Sequence, residues 1–224
     1  MVIASISPIR LVPDLTDQVY QRLLNAICDG DLAPGTRLTQ EELAAMLNVS
    51  RQPVLQALRM LKKDGFVVDA GRRGLRVLSL GVQTISHIYE VRSALDGLAA
   101  RQAAVSKSGI ELSVVAEGRK AVKDSRIGAM IDADMRFHNL IYSASGNPLI
   151  AESASHHWWH IRRAMGVVLQ QAGVRDTVWD EHEAILKAIN RGDADLAERL
   201  ARQHGEEAGH HLVQELGRHV REAS

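Results

Sequence analysis

Apolar residues recur at helical spacing along almost the whole chain. From Thr16, the segment TDQVYQRLLNAICDGDLAPG sets Val19, Leu23, Leu24 and Ile27 three or four positions apart. This predicts an amphipathic helix with Thr16 as N-cap and Asp17 in its first turn, stopped by Gly30 and then Pro34-Gly35. TQEELAAMLNV predicts a short second helix, with Thr39 as N-cap, Glu42 as its capping-box partner, and Leu43, Ala44 and Leu47 on one face. Asn48-Val49 makes a tight connection, and Ser50 is the expected cap of a third helix, SRQPVLQALRMLKKDG. There Pro53 sits in the first turn, where its missing N–H forfeits no bond, while Val54, Ala57, Leu58 and Leu61 face inward and Gly65 ends the run. The period then changes: residues 66–69 and 75–78 read as two brief strands around a glycine-flanked basic tip, Gly71-Arg72-Arg73-Gly74.

Beyond residue 80 the helical pattern is uninterrupted by strand alternation. Helices are expected over 81–106, 109–124, 127–144, 148–172, 176–190 and 194–217, with breaks at 106–109, Gly146-Asn147-Pro148, Gly173 and Arg191-Gly192-Asp193. Six helices predict an antiparallel bundle whose interior suits a ligand or a metal. The fold class read from these patterns is mainly α. It comprises an N-terminal winged helix-turn-helix over residues 1–78 and a C-terminal all-α antiparallel six-helix bundle over residues 79–224.

Composition sharpens the division. The 27 basic and 27 acidic residues balance, so any nucleic-acid affinity must come from local charge. Residues 51–76 carry Arg51, Arg59, Lys62, Lys63, Arg72, Arg73 and Arg76 against Asp64 and Asp69, whereas every histidine and tryptophan lies after residue 78. A lone Cys28 excludes an intrachain disulfide and suits a reducing compartment. No apolar run approaches the roughly 20 residues that span a bilayer, and the start MVIASISPIRLVPD lacks the order of a secretory signal. A cytoplasmic protein without membrane contact is expected.

The basic third helix and the wing suit duplex DNA. A helix-turn-helix lays its second helix in the major groove, where Arg51 can read guanine and Gln52 adenine. The helix N-termini at Thr39 and Ser50 present N–H groups to phosphates, Arg59 adds charge, and Arg72 and Arg73 at the tip reach the backbone or minor groove. A two-fold protein would present two such helices to a pseudo-palindromic operator, so a homodimer is expected.

The rear half concentrates its chemistry in DADMRFHNLIYSASGNPLI. Asp134 and His138 are four apart and point the same way. His182 and His204 lie at similar distances on either side of the turn at Gly192, so adjacent antiparallel helices bring them level. Three imidazoles and a carboxylate suit Zn²⁺, Ni²⁺, Mn²⁺ or Fe²⁺, with room for water or a ligand oxygen on an octahedral ion. Such an open site also allows a metal-dependent enzyme, although no general base is evident beside the donors. His156, His157 and His160 beside Trp158-Trp159 read as pocket lining or as an amphipathic face, and His210, His211 and His219 as solvated.

The run GDLAPGTRLTQEELAAMLNVSRQPVLQALRMLKKDGFV resembles the DNA-binding domain of the GntR family of transcriptional regulators. It departs from that family at Leu55-Gln56, where an arginine followed by glutamate is common, so the family's usual operator is not implied. Residues 81–217 are similar to the FCD sensor domain of the FadR-type subgroup, and six helices favour its VanR-like branch. That resemblance implies metal ligation by Asp134, His138, His182 and His204. It also implies a small carboxylate effector, an organic or sugar acid, that chelates the ion and meets Arg92; the alternative for Arg92 is an i,i+4 pair with Asp96. The implied function is a ligand-responsive regulator, a repressor by expectation, with direct sensing of the ion as the alternative.

Overall fold

The computed structural model describes residues 14–71, 74–107, 109–171 and 177–222. The chain divides into two compact units, one ending at Ser79 and the other beginning at Leu80. In the first unit α1 (Leu15–Asp29), α2 (Gln40–Leu47) and α3 (Arg51–Lys63) precede the strands β2 (Val67–Asp69) and β3 (Leu75–Val77). A third strand, β1 (Arg37–Leu38), was not foreseen from the sequence. It is two residues long, too short for alternation to register, and pairs antiparallel with β3 through Arg37↔Arg76 and Leu38↔Leu75, giving the order β1-β3-β2.

Two caps differ from expectation. The first helix is capped by Asp14, whose carboxylate accepts from the Thr16 N–H at 3.0 Å, so Thr16 lies inside the helix. Ser50 precedes α3 in extended backbone but makes no side-chain cap bond. Thr39 does cap α2, accepting from the Glu42 N–H, and its hydroxyl donates to the Glu42 carboxylate at 2.7 Å. The tight turn into α3 is made at Asn48, in the left-handed region at φ 52°, which asparagine tolerates better than most side chains. Leu23, Leu24, Leu43, Val54, Leu58, Leu61 and Phe66 close the core beneath.

Among its described residues the second unit forms helices and no strand: α4 (Val82–Ser106), α5 (Ser113–Lys123), α6 (Ile127–Ala144), α7 (Pro148–Gln171), α8 (Val178–Arg191) and α9 (Ala194–Glu222). Its apolar interior is in two parts. The larger gathers Ala99, Ala103, Phe137, Ile141, Ile185, Leu186 and Ala201 from α4, α6, α8 and α9. The smaller gathers Ile85, Tyr89, Ile161, Val168, Leu212 and Leu216 from α4, α7 and α9. Along α4 and α9 the buried polar residues between the two parts are Arg92, Ser93, Asp96 and His204.

The α4–α9 contact depends on small residues. A Cβ on Gly209 would stand 2.7 Å from the Tyr89 Cβ, and one on Gly205 would stand 2.9 Å from the Ser93 Cβ. Replacing glycine by alanine inside a helix normally stabilises by about 1 kcal/mol, but overpacking a close contact costs about 1–3 kcal/mol. Gly209→Ala is therefore expected to lower the melting temperature by several degrees. Gly217→Ala, whose nearest neighbour is the Arg221 side chain at 3.7 Å, is expected to raise it. Thermal unfolding of the two variants checks the sign in each case.

Candidate metal centre and nucleic-acid face

Asp134 and His138 lie one turn apart on α6, His182 projects from α8 and His204 from α9. All four are buried, and one donor atom from each falls within 4.8 Å of the others. The Nε2 atoms of His182 and His204 approach to 3.0 Å. Asp134 Oδ1 stands 3.6 Å from His182 Nε2 and 3.8 Å from His138 Nε2. A first-row divalent ion holds its ligands at about 2.0–2.2 Å, which sets donors about 3–4.4 Å apart, and these three separations fall in that span. The rings are fixed from outside, His182 stacking on Phe137 at 3.8 Å between centroids and meeting Trp179 edge-on.

Carboxylates behind two rings orient them. His204 Nδ1 lies 2.8 Å from Glu181 Oε2, and His138 Nδ1 lies 3.3 Å from Asp96 Oδ1. A carboxylate at Nδ1 favours the Nδ1–H tautomer and so turns the Nε2 lone pair inward, the arrangement that metal-binding histidines use. Burial lowers His138 below the usual imidazole range, keeping the ring neutral. Its Nε2 is buried without a hydrogen-bond partner, an omission that costs about 1–3 kcal/mol unless something binds there.

Arg92 closes the other side. Its guanidinium lies 3.5 Å from Asp96 and 3.4 Å from Asp134, donates to Tyr89 Oη at 3.2 Å, and stacks over the rings of Tyr89 and Trp158 at 5.2 and 5.5 Å. The i,i+4 carboxylate weighed from the sequence is engaged, and so is Asp134 on α6, a partner not foreseen there. Burial opposes the charge on Arg92, but Tyr89, Asp96 and Asp134 outweigh it and hold the guanidinium above its ordinary value. Burial likewise raises Asp96, and the neighbouring His138 and Arg92 more than reverse this, leaving its carboxyl at about 2. Two carboxyl side chains thus face one guanidinium in a buried layer. The donor set, the inward lone pairs and this excess acidity all fit a divalent cation.

Sequence reasoning missed Glu181 and the role of Asp96 behind His138. A carboxylate next to a histidine in sequence lies on another helix face, and only the α8–α9 pairing turns Glu181 towards His204. Glu181→Ala is expected to weaken metal binding by 10–100-fold, the usual effect of such an outer partner, as read by competition with a chelator dye. Glu183→Ala, whose carboxylate pairs with Arg119 and Lys187 at the surface, should leave it unchanged.

In the first unit, a concave face between α2, α3 and the sheet is lined by Arg37, Thr39, Arg51, Leu55, Arg59 and Lys62. Arg51 is exposed and pairs with Glu41 at 3.1 Å. Gln52, Arg59 and Ser50 are also exposed at the surface. Arg37 was not foreseen because the strand that carries it was not. Leu55, where the resemblance implies an arginine, lines this face. Arg72 and Arg73 lie outside the described residues. Elsewhere the histidine expectations divide: His157 lines a cavity with Trp158 and Trp159, while His211, expected to be solvated, is half-buried and lines another.

Residues 15–77 match the family described as "Bacterial regulatory proteins, gntR family" and residues 87–207 the one described as "FCD domain". The HTH-type transcriptional regulator YdhC of Bacillus subtilis is 26% identical over 202 residues, covering 87% of this chain and 89% of its own. The HTH-type transcriptional repressor RspR of Escherichia coli is 24% identical over 197 residues, covering 86% of each. Among solved structures, E. coli McbR/YncC superposes with a TM-score of 0.75 at 21% identity over 91% of this chain and 99% of that one, a likeness of fold. No described helix is long and apolar enough to cross a membrane.

Proposed function

The chain belongs to the GntR family as a DNA-binding transcriptional regulator with an FCD domain, and from that premise we propose that it is a repressor which senses a small carboxylate beside a divalent metal. The observation that carries the proposal is the buried convergence of Asp134, His138, His182 and His204, with Arg92 alongside. The bound ion would polarise and hold the oxygens of an incoming acid. Arg92 then supplies the second anchor, exchanging part of its hold on Asp134 for the ligand's carboxylate. Zn²⁺ suits the donor set, and Ni²⁺, Mn²⁺ and Fe²⁺ share it. Catalysis is not part of this reading: the further carboxylates beside the donors, Glu181 and Asp96, stand behind the outer nitrogens of His204 and His138.

DNA binding falls to Thr39, Ser50, Arg51, Gln52 and Arg59, with Arg72 and Arg73 of the segment between β2 and β3 added from the sequence. A two-fold assembly is supported by a stripe on α4 where Val91, Leu98 and Val105, spaced by seven, are all exposed. Apolar residues in one helical row are what a second copy of the same helix can cover. Light scattering of the free protein is expected to return twice the 24.6 kDa chain mass.

The sensing test is a titration of operator DNA with metal-loaded protein, with metal-stripped protein, and with loaded protein plus a panel of carboxylic acids. At least one acid is expected to change operator affinity 5–150-fold, the range of ordinary allosteric coupling, and only in loaded protein. If affinity follows metal concentration alone and no acid alters it, the ion itself is the signal and the acid reading is wrong.

A further inference from the structure

Along α3 the buried residues Pro53, Val54, Ala57, Leu58 and Leu61 form the inward face. The opposite face carries Arg51, Gln52 and Arg59, all exposed, with Leu55 and Gln56 half-buried between them. Arg51, Leu55 and Arg59 follow one another at intervals of four, so they share one row of the helix. All three line the concave face, with Leu75 of β3 on its sheet side. The outward row therefore reads cation, leucine, cation. Single exposed apolar residues are ordinary on a protein surface, but the place of this one is not. The core beneath is already closed by Val54, Leu58 and Leu61, and Leu55 interrupts a charged row in the groove assigned to the duplex.

We propose that Leu55 is a specificity-determining residue that selects thymine, through its 5-methyl group, in each operator half-site. This rests on the reading of α3 as the helix that enters the major groove. There guanine offers two acceptors, adenine an acceptor and a donor, and cytosine a donor, whereas thymine adds a methyl group to its one acceptor. Leucine has neither donor nor acceptor. Laid against the first three edges it would strip water from polar atoms and return no hydrogen bond. Against thymine it covers one apolar group with another. Arg51 and Gln52, one turn earlier, hydrogen-bond to neighbouring bases, so the leucine discriminates where they anchor. Four helical residues advance about 6 Å along the axis, close to two base steps of about 3.4 Å each. This puts the thymine within about three base pairs of the guanine that Arg51 reads.

The test uses the full-length protein and duplexes that it recovers from a random pool, titrated in gel shifts. The recovered half-sites are expected to hold a thymine at that distance from a guanine. Deoxyuridine in place of this thymine removes only the methyl group and should weaken binding about three- to fivefold, the worth of one buried carbon. In the same position, 5-methylcytosine should bind more tightly than cytosine by a similar factor. Both comparisons are made on the parent protein and do not depend on how a variant folds. Leu55→Gln should abolish the response to deoxyuridine and recover adenine at that position, the base that a glutamine reads. Recovered sites without the thymine, or equal binding of the thymine and deoxyuridine duplexes by the parent, overturn the proposal. If Arg51→Ala still weakens binding to those duplexes, α3 keeps its role and Leu55 only packs against the sheet. If Arg51→Ala binds them as the parent does, the reading of α3 falls as well.

Discussion

Protein carrying His138→Ala together with His204→Ala is expected to be purified without stoichiometric metal, and its melting temperature to be indifferent to added Zn²⁺ or Ni²⁺. The pair removes one donor from α6 and one from α9 and leaves Asp134 and His182, a bidentate remnant without geometry to select an ion. Loss of an outer partner alone weakens metal sites 10–100-fold, so loss of two direct donors should exceed the range in which metal survives purification. In the parent protein, an ion present at a thousandfold excess over its dissociation constant stabilises the fold by about 4 kcal/mol, a shift of many degrees on thermal unfolding. The double variant should also melt lower than the parent even without metal, since Asp96 loses the ring it holds at 3.3 Å. The informative quantity is therefore the metal-dependent increment. Elemental analysis and melting curves with and without metal measure it, and full occupancy in the double variant would show that the four residues do not form the site.

Arg51→Ala is expected to weaken specific operator binding by about 1–3 kcal/mol, or roughly 5–150-fold, the value of a good bidentate base contact. Arg51 opens α3, and its side chain pairs in the free protein with Glu41, the two members 68% and 72% exposed. Such surface pairs are worth little, so Arg51 exchanges that partner for DNA at small cost. Lys62→Ala, on the same face but paired with Asp69, should lower affinity for all sequences alike and reduce its salt dependence. Gel-shift titrations on the operator and on unrelated duplex distinguish the two. Unchanged operator affinity in Arg51→Ala would remove α3 from its assigned role.

The long helices were legible because their apolar periods run for many turns and end at glycine, asparagine or proline. The breaks at Gly146-Asn147-Pro148 and Gly192 match the ends of α6 and α8 in the structure. The cap at Asp14 escaped notice because Thr16 is an equally good capping residue by type, and the choice rests on backbone geometry two residues earlier. The two-residue β1 has no period to detect; its pairing depends on where β3 runs. Asp134, His138, His182 and His204 could be grouped because helical spacing and a single turn put them level, whereas Glu181 and Asp96 act across helix contacts that no local spacing encodes.

The layer of ionisable side chains between the two apolar parts of the bundle has a mechanical meaning. Nonpolar packing transmits cooperativity from one turn of a helix to the next, and here that continuity is interrupted midway along α4 and α9. The end built on Ile85, Ile161 and Leu212 is thus tied to the rest by the backbones of α4, α7 and α9 and by whatever spans the gap. It should behave as a partly autonomous folding unit whose amides exchange with solvent through local opening. Cargo that bridges the gap welds the two ends together, so the stiffness of this half of the molecule is itself a report of occupancy.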